Sequence, residues 1–211
     1  MVASLMLCEL MGTPRSILEL AGSHDGQVGV VAGNGESRLA YDLRSLPRGT
    51  VLFGCNALYR DTTPHYLGSV DVRITDEMIA AYKGQPFAYV GPRGRVRQWQ
   101  KSGRAVPELL EIETCSDQTT GPLMVLAAAV LGCNPIYLVG FDHDWTPRPG
   151  LSNSVYRDTA LYVESGARFF YLERWRPQLE AVLDRFASTE FRQIGPNTLP
   201  LPPSRWEDIG A

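Results

Sequence analysis

Apolar residues gather in short runs along this chain, and glycine, asparagine or proline closes most of them. "VGVVAG" from Val28, "TVLFGCN" at 50–56, "HYLGSVDV" at 65–72, "PFAYV" at 86–90 and "IYLVG" at 136–140 read as strands. The central ones are apolar without alternation, the pattern of strands buried on both faces. Between them the period changes. Thr75 to Lys83 predicts a helix, with a Thr75 cap, acidic Asp76 and Glu77 in the first turn and Gly84 just beyond. The Thr119-Thr120 pair can cap a second helix with Pro122 in its first turn; Leu123 to Leu131 is apolar on every side, so this helix is buried. Gly132 ends it and Asn134-Pro135 turns the chain into "IYLVG". A final stripe of Leu179, Val182, Leu183 and Phe186 predicts a helix that leads into the strand "FRQIG". Residues 5–21 suit a short amphipathic helix interrupted near Gly12-Thr13-Pro14, and from 92 to about 108 the apolar signal vanishes.

Buried strands alternating with helices predict an α/β, Rossmann-like fold, a mostly parallel sheet with helices on both faces. With 211 residues and no shift in composition, one domain is expected. Its span is read as 27–200, preceded by an N-terminal extension (1–26) and followed by a proline-rich, extended tail (201–211). A hydrophobic content of 44%, 20% charged residues and a net charge of −3 are those of an ordinary soluble protein without global bias toward nucleic acid. The opening lacks a convincing signal peptide, and no run approaches the roughly 18 apolar residues of a membrane span, so a cytoplasmic location is expected. Cys8, Cys55, Cys115 and Cys133 are widely spaced and form no C-x-x-C pair, which argues for buried reduced thiols rather than zinc or a disulfide framework.

Three strands end in polar or glycine groups: Gly33-Asn34-Gly35, Cys55-Asn56 and Gly140-Phe141-Asp142. Glycine admits close approach of a ligand, and asparagine offers both a donor and an acceptor for a base or ribose edge. The helix beginning near Thr120 adds free N–H groups and a positive dipole end, which suit a phosphate. In parallel sheets ligands bind beyond the carboxyl ends of the strands. The same residues also serve ordinary strand-ending turns.

"GNGES", "GCNALYRD", "TTGPLMVLAAAVLGCNPIYLVGFD" and "IGPNTL" resemble, in order and spacing, the bacterial family-42 sialyltransferases and a wider group with archaeal hydroxymethylpterin pyrophosphokinases. The chain also resembles virus-encoded proteins with C-N-A-L-Y-R-D and N-x-V-Y motifs. The likeness covers about residues 28–200. It implies that Asn34 and Asn56 contact a nucleotide or nucleotide-sugar donor, cytidine-containing in the sialyltransferases. Ser37 would support the loop; Thr119, Thr120 and Gly121 would hold phosphate or ribose; and Pro196-Asn197 would lie near the base or sugar. A homo-oligomer is a reasonable expectation from the same likeness. Glu36 stands where the family has proline and adds negative charge beside the phosphate site. The family's histidine base follows the last central strand in a lid, whereas here His24, His65 and His143 are the only histidines and none lies within 144–211.

Catalytic candidates are therefore Asp142, His143 and Tyr156, with Tyr162 as a further hydroxyl. Asp142-His143-Asp144 spells a D-x-D, a carboxylate pair (Asp142, Asp144) that can hold a divalent cation or simply cap a turn. His143 between carboxylates suits a general base. Residues 92–104, "PRGRVRQWQKSGR", carry Arg93, Arg95, Arg97, Lys101 and Arg104 without an acid. They suit a solvated loop or, with Trp99 stacking on a base, a nucleic-acid contact through 93–104. The preferred reading is a glycosyltransferase-like enzyme acting on an unidentified acceptor. The alternatives are an ATP-dependent pyrophosphokinase-like transferase and a nucleotide-binding module without catalysis.

Overall fold

The computed structural model describes residues 13–115, 117–142, 153–162, 164, 172–196 and 198–210. His143, Asp144 and Asn197 lie outside the described residues. Among the described residues nine strands form one wholly parallel sheet: β1 (Arg15–Ser16), β2 (Gly29–Ala32), β3 (Val51–Cys55), β4 (Tyr66–Gly68), β5 (Ala88–Gly91), β6 (Glu108–Glu111), β7 (Ile136–Val139), β8 (Phe191–Ile194) and β9 (Pro203–Ser204). Their order is β1-β6-β5-β4-β3-β2-β7-β8-β9. The chain moves outward from β2 in one direction and later returns to place β7 on its other side. The switch point of this Rossmann-like α/β domain thus lies beside β2, where such sheets bind ligands.

Side chains of successive strand residues enter opposite cores. Val30 and Ala32 face helices α1 (Val72–Ala81) and α2 (Arg93–Lys101), which contribute Ile74, Met78, Ile79, Val96 and Trp99. Val31 faces α3 (Thr120–Val130) and α4 (Leu172–Arg185), which contribute Leu123, Met124, Ala127, Ala128, Leu179 and Val182. The alanines of α3 let it lie close on the sheet. Gly68 of β4 completes the fit, because a Cβ there would collide with the Met124 sulfur.

Several elements differ from the sequence expectation, each for a local reason. Helix α1 starts at Val72 because Asp71 is the cap, its Oδ1 accepting from the N–H groups of Arg73 (2.7 Å) and Ile74 (3.0 Å). Thr75 instead donates its hydroxyl to the Asp71 carbonyl. The strand expected at 65–72 accordingly stops at Gly68. The arginine-rich stretch is helix α2, anchored by only two buried apolar residues, Val96 and Trp99. Trp99 is 0% exposed and packs on Tyr89 and Tyr82, so its expected stacking on a nucleic-acid base is corrected: the ring is core. Residues 15–20 form β1 and a 3-10 turn (Ile17–Leu20) closed by a Ser16–Glu19 capping box, in place of the expected amphipathic helix. The tail adds β9 and buries Ile209, so segments on both sides of 27–200 join the sheet. No helix among the described residues is long and apolar enough to cross a membrane.

Cys55 and Cys133 are buried, and desolvation pushes both thiols up to about 12. Cys115 is exposed. In a Cys8→Ser background, Ellman's reagent at pH 8 is expected to label Cys115 readily and the two buried thiols at least ~100-fold more slowly until the protein is denatured. Three equally fast thiols would show that the core around β3 and α3 opens.

Candidate functional site

The carboxyl ends of β2, β3 and β7 meet beside the first turn of α3. After β2 the chain follows β7 for two further bonds, from Gly33 N–H to the Val139 carbonyl (2.8 Å) and from Gly35 N–H to the Gly140 carbonyl (2.9 Å). This places Asn34 between β3 and β7. Its Nδ2 donates to the Cys55 carbonyl (3.2 Å) and to the Tyr162 hydroxyl (3.3 Å). Because a carbonyl can only accept, this bond fixes the amide orientation. The other end, Oδ1, is buried without a hydrogen-bond partner. A buried acceptor left unpaired is costly, and its ordinary explanation is an absent partner.

Asn56, directly after β3, has φ of 52°, the left-handed region that asparagine tolerates better than most residues. This turn aims its Oδ1 at the Thr120 hydroxyl, which donates to it at 3.0 Å and accepts from Val70 N–H. Neither threonine hydroxyl caps α3. Thr119 bonds Gln178 Oε1 of α4 through both its N–H (2.9 Å) and its hydroxyl (2.8 Å). Pro122 has no N–H, and the N–H groups of Thr120 and Gly121 have no bond among the described residues. Two free donors and the dipole of an 11-residue helix therefore sit beside Asn56. A side chain on Gly121 would meet the Trp175 indole, which packs on Phe141.

Asp142, expected as acid-base group or metal ligand, is 3% exposed. Oδ2 accepts the Ser37 N–H at 2.8 Å and Oδ1 accepts the Ser37 hydroxyl. Burial pushes its carboxyl above the usual carboxylate range, and the Ser37 bonds oppose this in part. A cation would have to compete with Ser37 for both oxygens, so Asp142 fits a fastener of the 33–37 loop better than a metal ligand. Among the described residues no group of three His, Cys, Asp or Glu converges. Asp144 and His143 lie outside the described residues.

Residues 153–162 roof the loops after β2 and β3. Gly35 and Ser154 form an antiparallel bridge, and Val155 N–H donates to the Asn34 carbonyl at 2.7 Å. Glu36, whose charge would oppose a phosphate, is paired with Arg157. Tyr156, expected to be catalytic, is 5% exposed; its hydroxyl donates to Asp61 at 2.6 Å and accepts from Arg38 at 3.0 Å. Arg60 pairs with Glu77, bonds Thr159 and the Ala160 carbonyl, and faces the rings of Tyr156 and Tyr162. The Tyr162 hydroxyl takes two donors, Asn34 Nδ2 and Ala57 N–H (3.3 Å). Burial holds both phenols well above the ordinary tyrosine range, so neither acts as a base near neutral pH.

Of the residues singled out in the sequence, Asn34, Asn56 and Thr120 come together, with Gly33, Gly35 and Gly121 in their supporting turns. Ser37 and Asp142 stand behind them as a bonded pair, and Thr119 turns to α4. Arg38, Asp61, Arg60 and Gln178 were missed. Asp61 and Arg60 lie in "CNALYRD", where two charged residues beside apolar ones were the available signal.

A scan against protein-family models finds no match, and neither does a search of the curated proteins. Among solved structures the chain is similar to the sialyltransferase CstII from Campylobacter jejuni in complex with a substrate analogue, cytidine-5'-monophosphate. The TM-score is 0.54 and the identity 16%, over 85% of this chain and 85% of that one. It is also similar to the monofunctional alpha-2,3-sialyltransferase Cst-I from Campylobacter jejuni, with TM-score 0.49 and 16% identity over 83% of this chain and 80% of that chain. At this identity the likeness is one of architecture, and the chain has the Rossmann-like fold of a sialyltransferase.

Proposed function

We propose that this chain is a glycosyltransferase-like enzyme that binds a cytidine nucleotide-sugar where β2, β3 and α3 converge. The observation that carries the reading is the buried, unpartnered Oδ1 of Asn34 at the switch point of the sheet. It requires a donor, which a ribose hydroxyl or the exocyclic amine of cytosine supplies. The free N–H groups of Thr120 and Gly121 suit the phosphate. The solved structure with the TM-score of 0.54 holds cytidine-5'-monophosphate, which supports a cytidine nucleotide over others.

In the transfer step an acceptor hydroxyl attacks the anomeric carbon, the bond from that carbon to the phosphate oxygen breaks, and the nucleotide leaves with the electron pair. The helix N–H groups stabilise the charge that develops on the phosphate. We assign the acceptor's proton to His143, since Asp142 is engaged by Ser37 and the tyrosine hydroxyls hold their protons. Asp142, Ser37, Tyr156, Arg38 and Asp61 are positioning residues.

A thermal-shift panel of nucleoside mono-, di- and triphosphates and nucleotide-sugars, with and without magnesium, tests this. A cytidine nucleotide at about 100 times its Kd stabilises the fold by about 2.7 kcal/mol, a rise of roughly 5–10 °C for a chain of this size. Stabilisation by ATP with magnesium alone would replace this reading with pyrophosphate transfer, and a panel without any response would remove the nucleotide site.

A further inference from the structure

A cavity of about 460 Å³ opens between α1 and α2, lined by Asp76, Ile79, Ala80, Gln98, Lys101 and Arg104. We propose that this cavity and the solvent face of α2 bind single-stranded nucleic acid. The surface stands apart from the transferase reading and uses none of its residues.

Helix α2 buries Val96 and Trp99, and the residues it leaves exposed are Arg93, Gly94, Arg97, Gln100 and Lys101. Arg97 and Lys101 stand one turn apart, about 6 Å along the axis, and so share a face. Arg104, just past the helix, is exposed as well. The acids nearby are engaged elsewhere. Glu111 pairs with Arg93 at 3.0 Å, Glu77 pairs with Arg60, and Asp76 Oδ1 accepts from Gln98 Nε2 at 2.6 Å. Among the described residues the side chains of Arg97 and Lys101 have no ion-pair or hydrogen-bond partner, and that of Arg104 reaches only the Ala80 carbonyl, at 3.4 Å. The net charge of the chain is −3, so this face attracts a polyanion that the molecule as a whole repels.

The chemistry of the face narrows the partner. The exposed positions of α2 hold no apolar side chain, so nothing there would enter a bilayer. Guanidinium groups match phosphate geometry, and they also stack on bases. The cavity adds a preference for a base that is not already stacked. Ile79 and Ala80 give it an apolar wall, while the second oxygen of Asp76 and the Lys101 ammonium offer an acceptor and a donor. A bare phosphate fits less well, because the Asp76 carboxylate would lie beside it. A base brings a flat apolar face and an edge of donors and acceptors, and the volume is within the range of small-molecule sites. Paired bases in a duplex cannot enter such a cavity, so the strand must be single.

Fluorescence anisotropy of the full chain with a fluorescein-labelled, twelve-nucleotide oligothymidylate tests this. At about 50 mM NaCl a Kd of about 1–10 μM is expected. Phosphate contacts from Arg97, Lys101 and Arg104 give log affinity a slope of about −2 against log salt, a loss of about 20-fold at about 200 mM NaCl. An abasic strand of the same length and the matching duplex should each bind about tenfold more weakly. Arg97→Glu and Lys101→Glu together are expected to lower the affinity at least ~50-fold, with the melting temperature within about 2 °C of the wild type because both side chains are exposed. Ala80→Phe, which fills the cavity, should erase the preference over the abasic strand and keep the salt slope. Arg205→Gln, an exposed arginine beside β9 on the far edge of the sheet, should bind as the wild type does. Tighter binding of the duplex, equal binding of the abasic strand, or wild-type affinity after the double charge reversal would each overturn the assignment. So would capture of phosphatidylserine vesicles by a chain that leaves the oligonucleotide free. Displacement of the strand by cytidine-5'-monophosphate would move it to the nucleotide site and remove this surface, whereas a missing response to that nucleotide with the strand still bound would sink the transferase reading alone.

Discussion

Asn34→Ala is expected to lower the affinity for cytidine-5'-monophosphate by about 10- to 100-fold. The amide does two things at once. Nδ2 holds the roof and the end of β3 together through the Tyr162 hydroxyl and the Cys55 carbonyl, while Oδ1 points inward unpaired. Alanine removes the acceptor and strands a ligand donor, a loss of about 1–3 kcal/mol, and every 1.4 kcal/mol is a factor of about ten. Asn34→Asp separates the two roles. It keeps an oxygen at Oδ1 but puts a second one against the Cys55 carbonyl and adds charge near the phosphate, so it should bind no better than alanine. Titration calorimetry on both variants, with the unliganded melting temperature as the control for folding, makes the comparison. A well-folded Asn34→Ala protein with the wild-type Kd would remove the proposed site.

Gly35→Ala is expected to be strongly destabilising. A Cβ there would run into the Asp142 carboxyl and lie 2.7 Å from the Gly140 carbonyl oxygen. One obstacle is backbone of the neighbouring strand end. The other is a carboxylate fixed by two bonds to Ser37, so neither can yield freely. Overpacking of this kind costs about 3 kcal/mol, which corresponds to a fall in melting temperature of roughly 6–12 °C. Because the loop that shifts carries Asn34, nucleotide binding should fall with stability. Ser37→Ala supplies the contrast. It adds no bulk and removes one bond to a buried carboxylate, costing about 1–3 kcal/mol with Asn34 left nearly in place. Urea unfolding of the two variants, followed by nucleotide titration at a temperature where both are folded, distinguishes a displaced loop from a weakened one. If Gly35→Ala unfolds at the wild-type midpoint, Asp142 does not sit behind the loop as described.

The order of buried strands and helices was legible in the chain because central strands of a parallel sheet are apolar on both faces, and the run "VGVVAG" or "IYLVG" carries that requirement wherever it sits. The edges were not. β1 and β9 have two residues each and carry no apolar run, so pairing with β6 and β8 defines them. Helix α2 shows the same limit: with Val96 and Trp99 as its only buried anchors, its periodicity is too sparse to rise above the five cations around it.

At the site, residue types were legible and partners were not. Asparagine and glycine at strand ends announce close approach, and Asn34, Asn56 and Thr120 do converge. Asp142 and Tyr156 look like chemistry in one dimension, because a carboxylate and a phenol near a ligand site can serve as acid or base. In three dimensions both are consumed, Asp142 by Ser37 and Tyr156 by Asp61 and Arg38. The sequence by itself determined the parallel sheet, its buried core and the carboxyl edge on which a ligand would bind, because those follow from local pattern and from the geometry of the chain. Which side chains remain available to that ligand was decided only by the tertiary structure. Hydrogen-bond partners 105 and 118 residues apart are set by packing, and a polar group that folding has already paired is withdrawn from the surface it seemed to serve.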